Sequence, residues 1–207
     1  MNKFVRRSAL VGALCVAPAG ATLATVMPAG TASATSASGI PVNYVVNAST
    51  TLAKLHQTVV VPPGTFKGTV AIPGFALEGV LKLPPASTTV TLAGVGLATA
   101  TFKLAETKPV TGVVDLSNLT VTATSTFNVL ITSVNPLGLP INLVGNSCGT
   151  SKPVSVTFSG KFSFGGSSSF SGTYRIPQLS NCGALTAALN LVIPGPGNQF
   201  NASFAPA

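Results

Sequence analysis

Thr120-Val121-Thr122-Ala123-Thr124-Ser125-Thr126-Phe127-Asn128-Val129-Leu130-Ile131 decides the fold class. Val121, Ala123, Phe127, Val129 and Ile131 share one parity, and Thr120, Thr122, Thr124 and Thr126 share the other. Successive side chains of an extended strand point to opposite faces, so this period of two buries one face and wets the other. The pattern returns outward along the chain. Ala98, Ala100, Phe102 and Leu104 oppose Thr99, Thr101 and Lys103; Val154, Val156 and Phe158 oppose Ser155 and Thr157; Phe200, Ala202 and Phe204 oppose Gln199, Asn201 and Ser203. Thr and Ser suit the exposed side of a pleated surface. Turn signals punctuate at short intervals: Pro62-Pro63-Gly64, Pro73-Gly74, Pro84-Pro85, Pro136-Leu137-Gly138, Gly165-Gly166 and Pro194-Gly195-Pro196-Gly197. Many short strands so spaced predict an all-β fold, an antiparallel β-sandwich or barrel. Residues 183–192 break the alternation with Ala184, Leu185, Ala187, Ala188, Leu189, Leu191 and Val192, which predicts one short C-terminal helix capped by Ser180 or Asn181.

A second pattern recurs five times: apolar-x-Gly-x-apolar-x-apolar, at 66–72, 77–83, 110–116, 158–164 and 170–176. In each copy the glycine (Gly68, Gly79, Gly112, Gly160, Gly172) has the parity of the apolar residues and so faces inward. An inward glycine gives the core no side chain; it lets a strand bend or lets another group approach its backbone closely. Two alternative readings follow, the first bland and the second sharper. The strands coil, with Phe rings packed over the gaps, as curved and closed sheets require. In the second reading the gaps instead leave an apolar cavity at Gly68 and Gly172, lined by Phe66, Phe158, Phe162, Phe164, Phe170 and Tyr174.

The N-terminus reads as a secretory signal over 1–34. Lys3, Arg6 and Arg7 form a basic head, 8–17 is mostly apolar, and Ala32-Ser33-Ala34 offers the small-x-small cleavage pattern. Cys15 follows Leu14, which does not fit a lipid-attachment site. A loose tail is expected over 35–40 and a single β domain over 41–207, with no later apolar run long enough for a membrane helix. The expected location is extracellular, as a secreted protein. Two cysteines then remain, Cys148 and Cys182, and in an exported chain they most simply pair. A Cys-x-x-Cys redox spacing is absent.

Charged residues are 7% of the chain, with eleven Lys+Arg, three Asp+Glu and one His. Beyond the signal the basic residues are Lys54, Lys67, Lys82, Lys103, Lys108, Lys152, Lys161 and Arg175, spread about one per strand. Nucleic-acid binding wants a clustered basic stripe with interleaved aromatics, so no nucleic-acid partner is expected. A mild positive charge leaves weak attraction to an anionic cell surface.

Few groups are available for catalysis. His56, Glu78, Glu106 and Asp115 are the only imidazole and carboxylates, and all precede residue 116. Gly145-Asn146-Ser147-Cys148-Gly149 is formally Gly-x-Ser-x-Gly, but a nucleophile elbow needs a following helix and a downstream acid and His. The order His56, Asp115, Ser147 matches that of chymotrypsin-like proteases, yet the sequence around His56 and Ser147 does not resemble theirs. Glu78 alternates outward, and Glu106 sits in a turn-like Glu106-Thr107-Lys108-Pro109 run, so both read as solvated surface charges. No ligand-spaced His/Cys/Asp cluster or phosphate-binding glycine loop is present, so no metal and no cofactor is expected. Thr89-Val90-Thr91 and Thr99-Ala100-Thr101 lack the fixed repeat of an ice-binding solenoid.

The signal style, the acid-poor Ala/Thr/Val/Gly composition and the strings at 136–143 and 192–198 resemble exported proteins of actinobacteria. By fold analogy alone, a barrel with an apolar interior is similar to lipocalin-like and isoprenoid-binding secreted proteins. The expected function is a secreted, non-enzymatic β-protein binding an apolar small molecule or lipid in its interior. The alternatives are a structural or cell-surface interaction protein with a solid core and, third, a secreted hydrolase.

Overall fold

The computed structural model describes residues 38–92, 95–137, 139–163 and 166–207. The signal reading over 1–34, the first part of the expected tail and Phe164 lie outside them. The alternation around Val121 becomes strand β6 (Thr120–Pro136), with Val121, Ala123, Ser125 and Phe127 buried. It follows β1 (Ser38–Leu52), β2 (Gln57–Ile72), β3 (Ala76–Lys82), β4 (Ala86–Leu92) and β5 (Val95–Asp115). After it come β7 (Gly149–Thr150), β8 (Val154–Lys161), β9 (Ser168–Ile176), β10 (Leu179–Ser180) and β11 (Gly195–Pro206). Ser38, Gly39 and Ile40, expected in a loose tail, belong instead to β1 and pair with Ile72, Ala71 and Val70.

Every pairing is antiparallel, and the circuit β1-β2-β3-β5-β6-β8-β9-β11 returns to β1 through partners such as Val46 and Phe204. Eight strands therefore close into a barrel, which removes the exposed edges of an open sheet. β4 continues the line of β3 along the first half of β5 after the Pro84-Pro85 break. β7 and β10 flank the far half of β6.

Prolines inside the strands mark where the barrel coils. Pro62-Pro63-Gly64 is not the expected turn: it lies within β2, where the register against β1 shifts between Val46 and Ala48. Pro109 lies within β5, where the register against β6 shifts twice, between Glu106 and Lys108 and between Lys108 and Thr111. Proline has no N–H for a ladder, and a bulge is where a strand tolerates it.

The inward glycines serve the same curvature. Gly68 stands opposite Gly79 across β2 and β3. A Cβ on Gly79 would lie 2.5 Å from the ring of Phe66, and a Cβ on Gly112 would lie 2.5 Å from the carbonyl oxygen of Thr122. The rings fill the interior edge to face, Phe170 on Phe204 at 5.0 Å and Phe66 on Phe204 at 5.8 Å. The first of the two expectations, coiled strands with Phe rings over the gaps, describes this half of the core.

A smaller core sits outside the barrel wall. Ile131, Val134, Val144, Cys148, Leu179 and Cys182 are buried together, with Leu185, Leu189 and Ile193 packed on them. Cys148 and Cys182 form a disulfide across a separation of 34. The expected helix is present as a 3-10 turn (Gly183–Leu185) leading into α1 (Thr186–Val192). Neither Ser180 nor Asn181 caps it. The Thr186 hydroxyl accepts the Cys182 N–H at 3.2 Å and donates to the Gly183 carbonyl at 2.8 Å. Asn190 on α1 then imitates a strand: its Oδ1 accepts the Leu179 N–H at 2.7 Å and its Nδ2 donates to the Leu179 carbonyl at 2.9 Å. That covers the edge of β10. Among the described residues no helix is long and apolar enough to cross a membrane.

Candidate functional site: an apolar cavity at one mouth of the barrel

One end of the barrel is assembled from the start of β1, the β2–β3 turn, the β5–β6 turn, the β8–β9 connection and the end of β11. Beneath it lies a cavity of about 200 Å³. Ile40, 50% exposed, and Leu116, 42% exposed, mark where it meets solvent. Its walls are aliphatic and aromatic, and no lining residue carries a formal charge. Tyr44 and Ser168 are the lining side chains with a polar atom. Burial pushes the Tyr44 hydroxyl above the usual phenol range.

Most of the wall follows from strand parity; Leu116 and Phe162 lie just past the ends of β5 and β8. Val42 and Tyr44 alternate inward on β1, Val110 and Val114 on β5, Phe158 on β8 and Phe170 on β9. Phe75 comes from the Pro73-Gly74-Phe75 turn instead. It adopts φ 51°, and its backbone is tied on both sides: its N–H donates to the Ala71 carbonyl at 3.0 Å, and its carbonyl accepts the Val114 N–H at 3.0 Å. Those two bonds hold its ring in the cavity wall.

Of the residues expected to line a cavity, Phe66, Phe158, Phe162 and Phe170 do so. Tyr174 does not. It lies in the other half of the barrel, its ring 6.5 Å from Phe127 and its hydroxyl 2.5 Å from the Thr50 hydroxyl. The Thr50 proton goes to the Gln199 carbonyl at 3.0 Å, so Tyr174 donates to Thr50. Burial raises the Tyr174 hydroxyl above its ordinary range. Gly68 and Gly172 do not open into the cavity either. The space beside Gly68 is taken by Gly79 Cα and the Phe66 ring, both 3.0 Å from a built Cβ, and the space beside Gly172 by the β8 backbone at Thr157 and Phe158. The sequence pattern misses Val42, Tyr44, Leu77, Val110, Val114 and Phe75. The strand members among these carry a parity signal that was available; Phe75 carries none.

Glu106 is a correction. It is half-buried inside the barrel rather than solvated, and its carboxylate accepts the Leu81 N–H at 3.1 Å where the β3–β5 ladder is interrupted. It borders a void of about 10 Å³ together with Ser125, Phe127 and Phe200. Glu78 is exposed, as expected. His56 lies exposed in the β1–β2 turn, from which β2 runs the length of the barrel to the mouth. Asp115 lies at the mouth, and its carboxylate accepts the N–H groups of Ser117 and Asn118 and the Asn118 amide, the side-chain bond doing most to hold its pKa below the usual range. Ser147 is exposed in the loop before β7. The fold thus sets His56 and Asp115 at opposite ends of the barrel.

Two other surfaces stand out. A depression of about 680 Å³ over the outer faces of β1, β2, β9 and β11 is lined by Ser and Asn side chains such as Asn47, Ser49 and Asn201 together with Val60, Pro62 and Pro63, all neutral. The loop after β6 exposes Leu137, Leu139, Ile141 and Leu143. No protein-family model matches the chain, and no curated protein or solved structure matches it significantly.

Proposed function

We propose that this protein is a secreted, non-enzymatic binder that takes the apolar end of a lipid or isoprenoid-like molecule into the mouth of its barrel. The observation that carries the reading is the uncharged cavity of about 200 Å³ open at Ile40 and Leu116. An eight-stranded barrel encloses enough space for its own side chains or for one small ligand. A dry apolar cavity of about 150 Å³ is known to hold benzene, whereas pockets that swallow whole drug-sized ligands run to about 300–1,000 Å³. The site therefore suits one ring or a short chain segment, with the remainder of a longer ligand outside the mouth. The disulfide and the lack of a membrane-spanning helix among the described residues are compatible with export.

Titration with 1-anilinonaphthalene-8-sulfonate or a fluorescent fatty acid tests it. Saturable binding, displaced by an unlabelled apolar competitor and lost in Val114→Phe without loss of the far-ultraviolet β signal, supports the reading. Absence of saturable binding to the native protein refutes it. The second reading, a cell-surface interaction protein, draws on the exposed Leu137–Leu143 loop and the Ser- and Asn-rich outer face. Retention on whole cells or wall material at moderate salt, with no effect of Val114→Phe, would favour it.

A further inference from the structure

We propose that the ligand segment seated in the cavity is neutral and carries one hydrogen-bond acceptor, a carbonyl or ether oxygen, which receives the hydroxyl proton of Ser168. The inference rests on the apolar-ligand reading above and narrows its chemical class.

Ser168 opens β9 opposite Phe204 and lines the cavity, at 2% exposure. Around it the walls are rings and aliphatic side chains, Phe158, Phe170 and Phe204 among them. A serine hydroxyl has one proton to give and two lone pairs. One lone pair is used: the Ser163 N–H donates to Ser168 Oγ at 3.0 Å. Among the described residues no acceptor is in place for the proton. A buried donor without an acceptor is unfavourable, and an apolar residue at the same strand position would have avoided it. Among the described residues Ser168 Oγ makes only the bond it accepts from Ser163, and an oxygen on an occupant of the cavity it lines satisfies its proton.

The same wall sets the other half of the specificity. With no Lys, Arg or His among the lining residues, a carboxylate or phosphate drawn inside would be desolvated without a counter-charge. An ionised head group stays outside, and only a neutral oxygen enters. Tyr44, half-buried on β1, offers a second donor at the same mouth without changing that rule.

The experiment compares cyclohexanone with methylenecyclohexane, which share a ring shape and differ in the acceptor. Affinities are measured by calorimetry for the native protein, Ser168→Ala and Ser168→Thr, with circular dichroism and thermal melting to confirm that each variant folds. Ser168→Ala is expected to weaken ketone binding about three- to tenfold, the value of one neutral hydrogen bond, and to leave the hydrocarbon within about twofold. Ser168→Thr keeps a hydroxyl and is expected to keep the native ketone-to-hydrocarbon ratio. If both probes bind and Ser168→Ala shifts them equally or not at all, the acceptor inference fails while the cavity reading stands. If neither probe binds, both fail together.

Discussion

Replacing Gly112 with alanine tests whether the inward glycines are required by the closeness of neighbouring strands. Gly112 sits in β5 between Leu77 of β3 and Ala123 of β6. An added Cβ would meet Thr122 O at 2.5 Å, Ala123 Cβ at 2.7 Å and Ala123 Cα at 2.8 Å. None of the three is the end of a flexible side chain, so relief requires β5 and β6 to part by roughly half an ångström, which stretches the ladder hydrogen bonds around the position. Overpacking of this kind typically costs about 1–3 kcal/mol, and the rigid contacts place Gly112→Ala at the upper end. Alanine returns about 0.5–1 kcal/mol through its lower backbone entropy in the unfolded chain. The net expectation is a loss of about 2 kcal/mol, which for a domain of this size lowers the melting temperature by about 4–8 °C. Gly145→Ala is the internal control, because the nearest atom to its built Cβ is Asn181 O at 3.9 Å; its effect should stay within about 0.5 kcal/mol. Urea and thermal unfolding of the two variants, followed by circular dichroism, make the comparison. Equal stability of Gly112→Ala and Gly145→Ala would refute the argument that strand proximity selects glycine.

Three further outcomes are expected. Cys148→Ala/Cys182→Ala opens a loop with a separation of 34 and should lower stability by about 3–4 kcal/mol on the loop-entropy estimate, and reduction with dithiothreitol should lower it similarly; an unchanged urea midpoint would contradict this. Tyr174 has a raised folded pKa, so its stabilising contribution is complete below about pH 10 and is lost as pH rises through the folded value. The native urea midpoint should therefore fall more steeply above about pH 10 than that of Tyr174→Phe, and parallel profiles would rule the linkage out. Glu106→Gln keeps an acceptor for the Leu81 N–H and should be tolerated, whereas Glu106→Leu should cost about 1–3 kcal/mol in chemical denaturation by leaving that N–H unpaired.

The strands were legible because a half-buried strand writes its burial into every second residue. Val154, Val156 and Phe158 are buried in β8, and Phe200, Ala202 and Phe204 in β11, at the parity the sequence displays. Closure was not legible, since it depends on partners as remote as Tyr44 and Pro206, and a period of two is the same in a sandwich and a barrel. Proline misled for a definable reason. Pro62 and Pro109 look like turns to a local reading, but a bulge frees a strand from needing their N–H groups. The misplaced Glu106 follows directly: inside a bulged strand, not a turn, its side chain points back at the broken ladder. The cavity was half legible. Phe66, Phe158, Phe162 and Phe170 carry its signal through parity, while Phe75 reaches it from a turn, where alternation has no meaning.

The void itself is an energetic statement. Residual cavity volume destabilises a core by about 24 cal/mol per Å³, which for about 200 Å³ sets an upper bound near 5 kcal/mol, lowered by the opening to water at Ile40 and Leu116. A domain's whole margin is about 5–15 kcal/mol, so a gap of this size is a large fraction of it. Larger side chains at Val110, Val114 or Val121 would reduce it, all three being buried on its walls. The wall cannot collapse to close the gap, because a closed circuit of eight hydrogen-bonded strands fixes the barrel diameter. The site is therefore preformed. Occupancy of a preformed apolar site should be enthalpy-driven near room temperature with a negative heat-capacity change, and an occupant should raise the melting temperature through mass action. A heat-capacity change near zero with a saturating apolar ligand would mean that the ligand rests on the outer face, and that the cavity is a packing defect the barrel tolerates.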